Sequence, residues 1–338
     1  MSEQTSSRLR PPKGWALLTC MGMIALLAGG CSPASKVYKV GILTDNPNFH
    51  AIGDGFKARM TMLGYAVGKN LVYVEQPPGS DPADLLHQAK ALVDQKVNLI
   101  FSFPAPETTA AYAATRGTSI PVVCAYAQLD GTNMIKSGRE PGGNLTGVRY
   151  PGPETVSKRL ETMVAIAPKA RRIMIGYDKN GPNTAIALGA LRALAPSLGV
   201  KLVEVPVTDK ADLAADLSAR ARLADIGLDA ILVMPDDINA SPDGFAVLSG
   251  FASDHHIPLA GGLPWMIQKG AIFANGPDLA TVGGLAAASA DEILSGTAAG
   301  TIPIVTPNQN LYFNYRTAKA LRLTLPEGLL AQATQIIR

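Results

Sequence analysis

Two apolar rhythms alternate along this chain from Tyr38 onward. Lys39–Leu43 is a short β-branched run, and Ile52, Phe56, Met60 and Leu63 then recur at helical spacing. Leu71–Val74 is the next run of strand character. Leu85, Leu86, Ala89, Leu92 and Val93 follow as one helical stripe, introduced by Asp81-Pro82 as cap and first turn. Leu99–Phe103 and Pro121–Ala125 continue the series. Continuous apolar strands alternating with amphipathic helices predict an α/β fold whose parallel sheet is covered on both faces.

The same plan occurs twice. Leu63-Gly64-Tyr65 ends a helix and leads into a strand, as Leu198-Gly199-Val200 does later. Asn98-Leu99-Ile100-Phe101 has its counterpart in Asp229-Ala230-Ile231-Leu232, and Ile120-Pro121-Val122-Val123 in Ile257-Pro258-Leu259-Ala260, all at nearly one offset. Each glycine fits a helix end, where the left-handed conformation is cheap only without a Cβ. Two similar Rossmann-like lobes in tandem are expected, the first over residues 37–148 and the second beginning at 149, with Pro141–Gly147 as the first connection. Leu279–Leu294 reads as a small-residue helix, Val305 and Leu311–Tyr315 as terminal strands, and Arg316–Leu321 as a last helical turn. Because two-lobed binding proteins cross back near their ends, 277–300 is assigned to the first lobe and 301–338 to the second.

The N-terminus changes the picture of where the chain works. Arg8, Arg10 and Lys13 precede an apolar run from Trp15 to Ala28, and small residues lead into Cys31. That is the layout of a secretory signal, with a cysteine at the cleavage point. It resembles a bacterial lipoprotein signal over residues 1–30, with Cys31 as the lipidated residue of a membrane-anchored envelope protein. Ala28 stands where leucine is usual, and an uncleaved anchor helix is the alternative. The precursor carries a net charge of +3, and most of that excess lies in the segment to be removed. No basic block or aromatic-basic stripe is present, so nucleic acid is excluded as a partner. Of the three cysteines, Cys20 falls in the signal and Cys31 would carry lipid. Cys124, left alone in the apolar run Pro121–Ala125, reads as a core thiol.

Parallel α/β sheets place ligands beyond the carboxyl ends of their strands, so the loops that follow the strands carry the candidate chemistry. In the first lobe these are Thr44–Pro47, containing Asn46, then Pro104–Thr109 and Tyr126–Gln128. In the second they are Tyr177–Asn180 with Asn183 and Thr184, then Pro235–Asn239 and Gly261–Trp265. Pro106, Glu107 and Thr108 at a helix start, and Asn183 at another, suit an acidic ligand group; ordinary capping is the alternative. Asp236 or Asp237 suits an amine, one of them with a cap as its other reading. Tyr126, Tyr177 and Trp265 suit apolar packing on a ligand. Catalytic constellations are missing: there is no Gly-x-Ser-x-Gly, no His-Glu-x-x-His and no P-loop. His255-His256 precede a strand, on the wrong end for the cleft, and Gly53-x-Gly55 lacks the rest of a dinucleotide fingerprint. An enzyme is therefore not expected, nor a metal or other cofactor.

Several segments carry a family resemblance. They are Gly55-Phe56-Lys57, Leu63-Gly64-Tyr65 with Gly68-Lys69-Asn70, Pro141–Gly147, Pro168–Ile173, and Thr317–Leu323 with Leu325–Ala331. From about Val37 to its C-terminus the chain resembles the ABC transporter substrate-binding proteins of the type I periplasmic-binding-protein fold, the group that includes TrpX-like tryptophan-binding lipoproteins. The resemblance implies a monomeric, lipid-tethered receptor that captures a small solute, an amino acid or related compound, and presents it to a permease driven by an ATPase. In it, the acid of Pro235-Asp236-Asp237 would hold an amino group. A sensor feeding a receptor kinase or chemoreceptor is the alternative reading. Asn275–Leu279, Gly262–Met266 and Gln128–Lys136 depart from the family's usual sequences, so ligand identity does not carry over.

Overall fold

The computed structural model describes Met1 and residues 36–44, 47–77, 81–181 and 184–338. Cys31 and all but Met1 of the expected signal segment lie outside the described residues. From Tyr38 the chain runs β1 (Tyr38–Leu43), α1 (His50–Met62), β2 (Leu71–Glu75), α2 (Pro82–Asp94), β3 (Leu99–Ser102), α3 (Ala105–Ala114), β4 (Val122–Ala127) and β5 (Leu145–Arg149). These strands form one parallel sheet in the order β2-β1-β3-β4-β5. Asp81 caps α2, accepting from the Ala83 and Asp84 amides at 2.8 and 3.0 Å.

A second α/β series follows: α4 (Gly152–Ile166), β6 (Arg172–Asp178), α5 (Thr184–Leu194), β7 (Lys201–Val207), α6 (Lys210–Ala221), β8 (Ala230–Leu232), α7 (Pro242–Asp254), β9 (Leu259–Gly261) and β10 (Phe273–Gly276). The chain then forms α8 (Leu279–Leu294), β11 (Asn310–Asn314), α9 (Tyr315–Ala320), α10 (Glu327–Leu330) and β12 (Ala333–Ile337). The second sheet has the order β12-β11-β10-β9-β8-β6-β7. Its pairs are parallel except β10 with β11, which is antiparallel. The reason is topological. β10 runs out of its sheet, α8 is built on the other lobe, and the returning chain must re-enter from the end where β10 left.

α8 packs on α1, β4 and β5 of the first lobe. The contact with α1 is backbone against backbone: a Cβ on Gly55 would overlap the Ala280 carbonyl, and one on Gly283 would overlap the Ile52 carbonyl. Residues 302–305 also stay with the first lobe. The Thr146 hydroxyl donates to the Ile302 carbonyl at 2.8 Å, the Val305 amide donates to the Gly147 carbonyl at 2.8 Å, and Val305 bridges Val148. The chain thus returns to the second lobe after Val305, later than the boundary at 300 expected from the sequence, and Val305 is a partner of β5 rather than a strand of the second sheet. Arg149, at the end of β5, joins two of the connections. It pairs with Asp130 at 2.7 Å and Glu154 at 2.5 Å, and its Nε donates to the Thr306 hydroxyl at 2.9 Å.

Because α1 and α8 touch through their main chains, Gly283→Ala forces the helices apart instead of merely filling space. A loss of about 3 kcal/mol is expected, read as a lowered urea midpoint at unchanged m-value; a midpoint equal to the parent's would contradict the close approach.

Candidate functional site

The carboxyl ends of both sheets open on one cleft of about 860 Å³, continuous with solvent. Asn48 and Phe49 after β1, Pro104–Pro106 after β3 and Tyr126 in β4 line it from the first lobe. Asp178 at the end of β6, Met234–Asp237 after β8, and Gly262 and Leu263 after β9 line it from the second. Tyr150 and Arg159, from the first connection and from α4, complete the wall.

An aromatic cluster stands on the first-lobe side. The Tyr126 ring lies 5.4 Å from that of Phe49 and 4.6 Å from that of Tyr150. Tyr126 has φ +56°, left-handed for a bulky residue, where the register of β4 against β5 shifts. Such a bulge re-aims a side chain at the cost of local strain, a pattern that concentrates at functional sites. Burial pushes the Tyr150 phenol up to about 12 and raises that of Tyr126 well above its ordinary value, so both are neutral hydroxyls.

Arg159 is the charged centre of the floor. It is 1% exposed, on a buried helix face shared with Thr155, Val156, Leu160, Thr162, Met163 and Ile166. Its Nε donates to Asn275 Oδ1 at 2.8 Å, Nη1 to the Val233 carbonyl at 2.5 Å and Nη2 to the Asn275 carbonyl at 3.1 Å. Asn275 is itself held by donating to the Thr155 carbonyl at 2.9 Å. Burial pulls the guanidinium pKa down, against the phenol oxygens of Tyr150 and Tyr126, the first of which is also a hydrogen-bond partner, yet an arginine does not surrender its proton in a protein. Among the described residues no carboxylate comes within salt-bridge distance of it. The helix starts nearest this floor share a feature: α3 after Pro104 and α4 after Pro151 have no side-chain cap, whereas α2, α6, α7 and α8 are capped by Asp81, Asp209, Ser241 and Asp278.

The acidic side is the second-lobe rim, with Asp178, Asp236 and Asp237. Asp236 is committed to the loop itself. It accepts from the Ile238 and Asn239 amides at 3.1 and 2.8 Å, from the Asn239 side chain at 2.9 Å, and from the Asp178 amide at 3.2 Å. Burial nevertheless pushes its carboxyl up to about 6, against those donors.

Of the residues singled out by sequence, Pro106, Tyr126, Asp236 and Asp237 converge on the cleft. Four others sit elsewhere. Glu107 is buried in the first turn of α3. Thr108 is fully buried, with its hydroxyl 2.7 Å from the Pro104 carbonyl, so it braces its own helix. Tyr177 packs against the second-lobe core, and Trp265 rests edge-on against Phe245 at 5.2 Å. Asn46 and Asn183 lie outside the described residues. His255 stacks on Phe251 at 4.3 Å, and the buried Cys124 thiol is pushed up to about 12. Arg159, Tyr150 and Phe49 were not among the candidates. The legible signal for Arg159 is a charge set into the apolar stripe Val156-Leu160-Met163.

Comparison with known proteins places this architecture in context. A family model described as ABC transporter substrate binding protein matches residues 39–337. A tyrosine-binding protein of Clostridioides difficile (strain R20291) is 26% identical over 291 residues, covering 85% of this chain and 82% of that protein. The structure of an ABC domain from Streptococcus pneumonia in complex with L-Trp superposes with a TM-score of 0.77 at 22% identity, over 89% of this chain and all (100%) of that one. An ABC transporter solute-binding protein from Agrobacterium vitis, bound with α-D-tagatopyranose, superposes at 0.62 with 15% identity, over 81% and 94% of the two chains. At these identities the structural matches speak for the fold.

The Asp236 carboxyl gives a test of the rim. Its pKa is raised in the folded state, so between about pH 4 and 6 the native chain holds a proton that the unfolded chain has lost. Its contribution therefore favours folding on the acid side and is lost as pH rises through 6. Melting curves of wild type and Asp236→Asn from pH 4 to 7 should show the parent losing Tm relative to the variant as pH rises; parallel curves would mean an ordinary solvated carboxylate.

Proposed function

The chain belongs to the family of ABC transporter substrate-binding proteins, and from that premise we propose that it is the receptor of an importer whose solute is an amino acid, an aromatic one first. One observation carries the solute class: an aromatic wall of Phe49, Tyr126 and Tyr150 faces an acidic rim of Asp178, Asp236 and Asp237 across the same cleft. The rings offer flat apolar surface to a side chain, and the carboxylates attract an ammonium group. Asp178 and Asp237, which line the cleft beside Asp236, are the acids assigned to the amine. The tyrosine- and tryptophan-binding relatives agree with this reading. Carboxylates also accept from sugar hydroxyls, so the comparison with hexoses is the one that discriminates. Capture works by differential affinity, since a solute touching both walls favours the conformation in which they are close. The N-terminal segment supplies a tether through a lipid on Cys31.

Calorimetry with the twenty amino acids and a panel of hexoses tests the solute class. L-Tyrosine or L-tryptophan is expected to bind with a Kd in the micromolar range or below, and Asp178→Asn with Asp237→Asn to weaken it about tenfold or more at unchanged Tm. Binding of a hexose alone would reverse the assignment. For the tether, Cys31→Ser should move the protein from the membrane fraction to the soluble one.

A further inference from the structure

We propose that Arg159 is the residue that recognises the solute's carboxylate, and that it sets the preference for an acid over the matching amine or a neutral compound. This deepens the amino-acid reading above and rests on it for the choice of probes. The argument begins from a charge that is out of place. A cation on a buried helix face, 1% exposed, sits at the floor of the cleft. Protein groups hold it in position: two carbonyls and one amide oxygen take three of its N–H directions, and the Tyr150 hydroxyl is a further partner. Carbonyl dipoles orient a guanidinium but do not neutralise it, and among the described residues no carboxylate lies within salt-bridge distance. A buried ion without a counter-charge is costly. The opposite charge must come from whatever fills the cleft.

Two details fit a planar anion arriving from the cleft. A guanidinium carries five N–H donors in a fork that matches a carboxylate, so three bonds to carbonyl and amide oxygens and one to the Tyr150 hydroxyl leave a donor over. Gly262, itself part of the cleft lining, lies against the guanidinium: a Cβ there would stand 3.0 Å from Nη2 and 3.4 Å from Cζ. The missing side chain keeps that edge uncovered. Charge then runs in one direction across the cavity, from a cation on the floor to acids on the rim, with aromatic rings alongside.

The experiment compares ligands that differ in one group, on the intact protein: L-tyrosine and L-tryptophan (acid and amine), tyramine and tryptamine (amine only), 4-hydroxyphenyllactate and indole-3-lactate (acid only), and D-tagatose (neither). Wild type should bind the acids about a hundredfold or more tighter than the amines. Arg159→Lys keeps the charge and loses the fork; it should shrink that ratio at least tenfold. Arg159 also pins Asn275, so a general weakening would follow from loosened structure alone; only the acid-to-amine ratio reports recognition. Gly262→Ala sets a Cβ against the cleft edge of the guanidinium, which must give by a few tenths of an ångström, while keeping the arginine itself; it should lower affinity for the acids selectively, which serves if Arg159→Lys does not fold. An unchanged ratio in the folded variants overturns the proposal, as does a wild type that binds tyramine as well as tyrosine, or tagatose alone. If the lactates bind through Arg159 and the amino acids do not, the carboxylate anchor stands and the amino-acid reading fails. If amino acids bind with no dependence on Arg159 or Gly262, the reverse holds.

Discussion

A guanidinium that stays charged although buried organises the second half of this molecule. Arg159 reaches from α4 to the ends of β8 and β10, and Asn275 returns the connection to α4 through the Thr155 carbonyl. Three elements distant in sequence are thereby fixed around one charge. Replacing such a group by an apolar one of similar volume is often favourable for stability alone. Its presence at the cavity floor therefore speaks for recognition more than for cohesion.

The remaining features of the cleft follow from where the strands end. Both sheets deliver their carboxyl termini to the same space, so strand-to-helix loops and uncapped helix starts collect there. Local geometry is adjusted twice. A bulge in β4 turns Tyr126 out of its sheet and between two other rings. On the opposite rim, Asp236 gathers the backbone donors of its own loop and that of Asp178, so that loop is fixed before any solute arrives. Preformed walls of this kind reduce the ordering cost of binding.

Much of the fold was legible because its signals are local. The Asp81-Pro82 cap, the helical stripe of α2 and the apolar runs of β1, β3 and β4 each depend on residues close in the chain. The recurrence of Leu-Gly and Ile-Pro punctuation exposed the second α/β series. What escaped depends on partners far away. Nothing within 301–305 says that Val305 will lie beside Val148, nor does Leu311–Asn314 announce an antiparallel neighbour, since both follow from the chain's route between lobes. Side-chain direction was equally hidden. Thr108 and Trp265 occupy cleft-side loops, but one hydroxyl turns back to its own helix and one indole turns to Phe245. Arg159 is hidden for a different reason: strand-to-helix loops carry the expected chemistry, and this residue lies in the second turn of a helix.

The seating of α8 on α1 has a consequence for how the chain acquires its shape during synthesis. Ile52, Phe56 and Met60 are buried in the same core cluster as Val282, Ala286 and Ala290, so the opening helix waits for a cover encoded near the far end of the gene. Until translation has passed that point, the leading half is an open sandwich, missing one slice. Its contacts are among the most non-local in the molecule, the kind that form slowly. Truncated nascent chains would expose that face, and a holding chaperone would find its grip there.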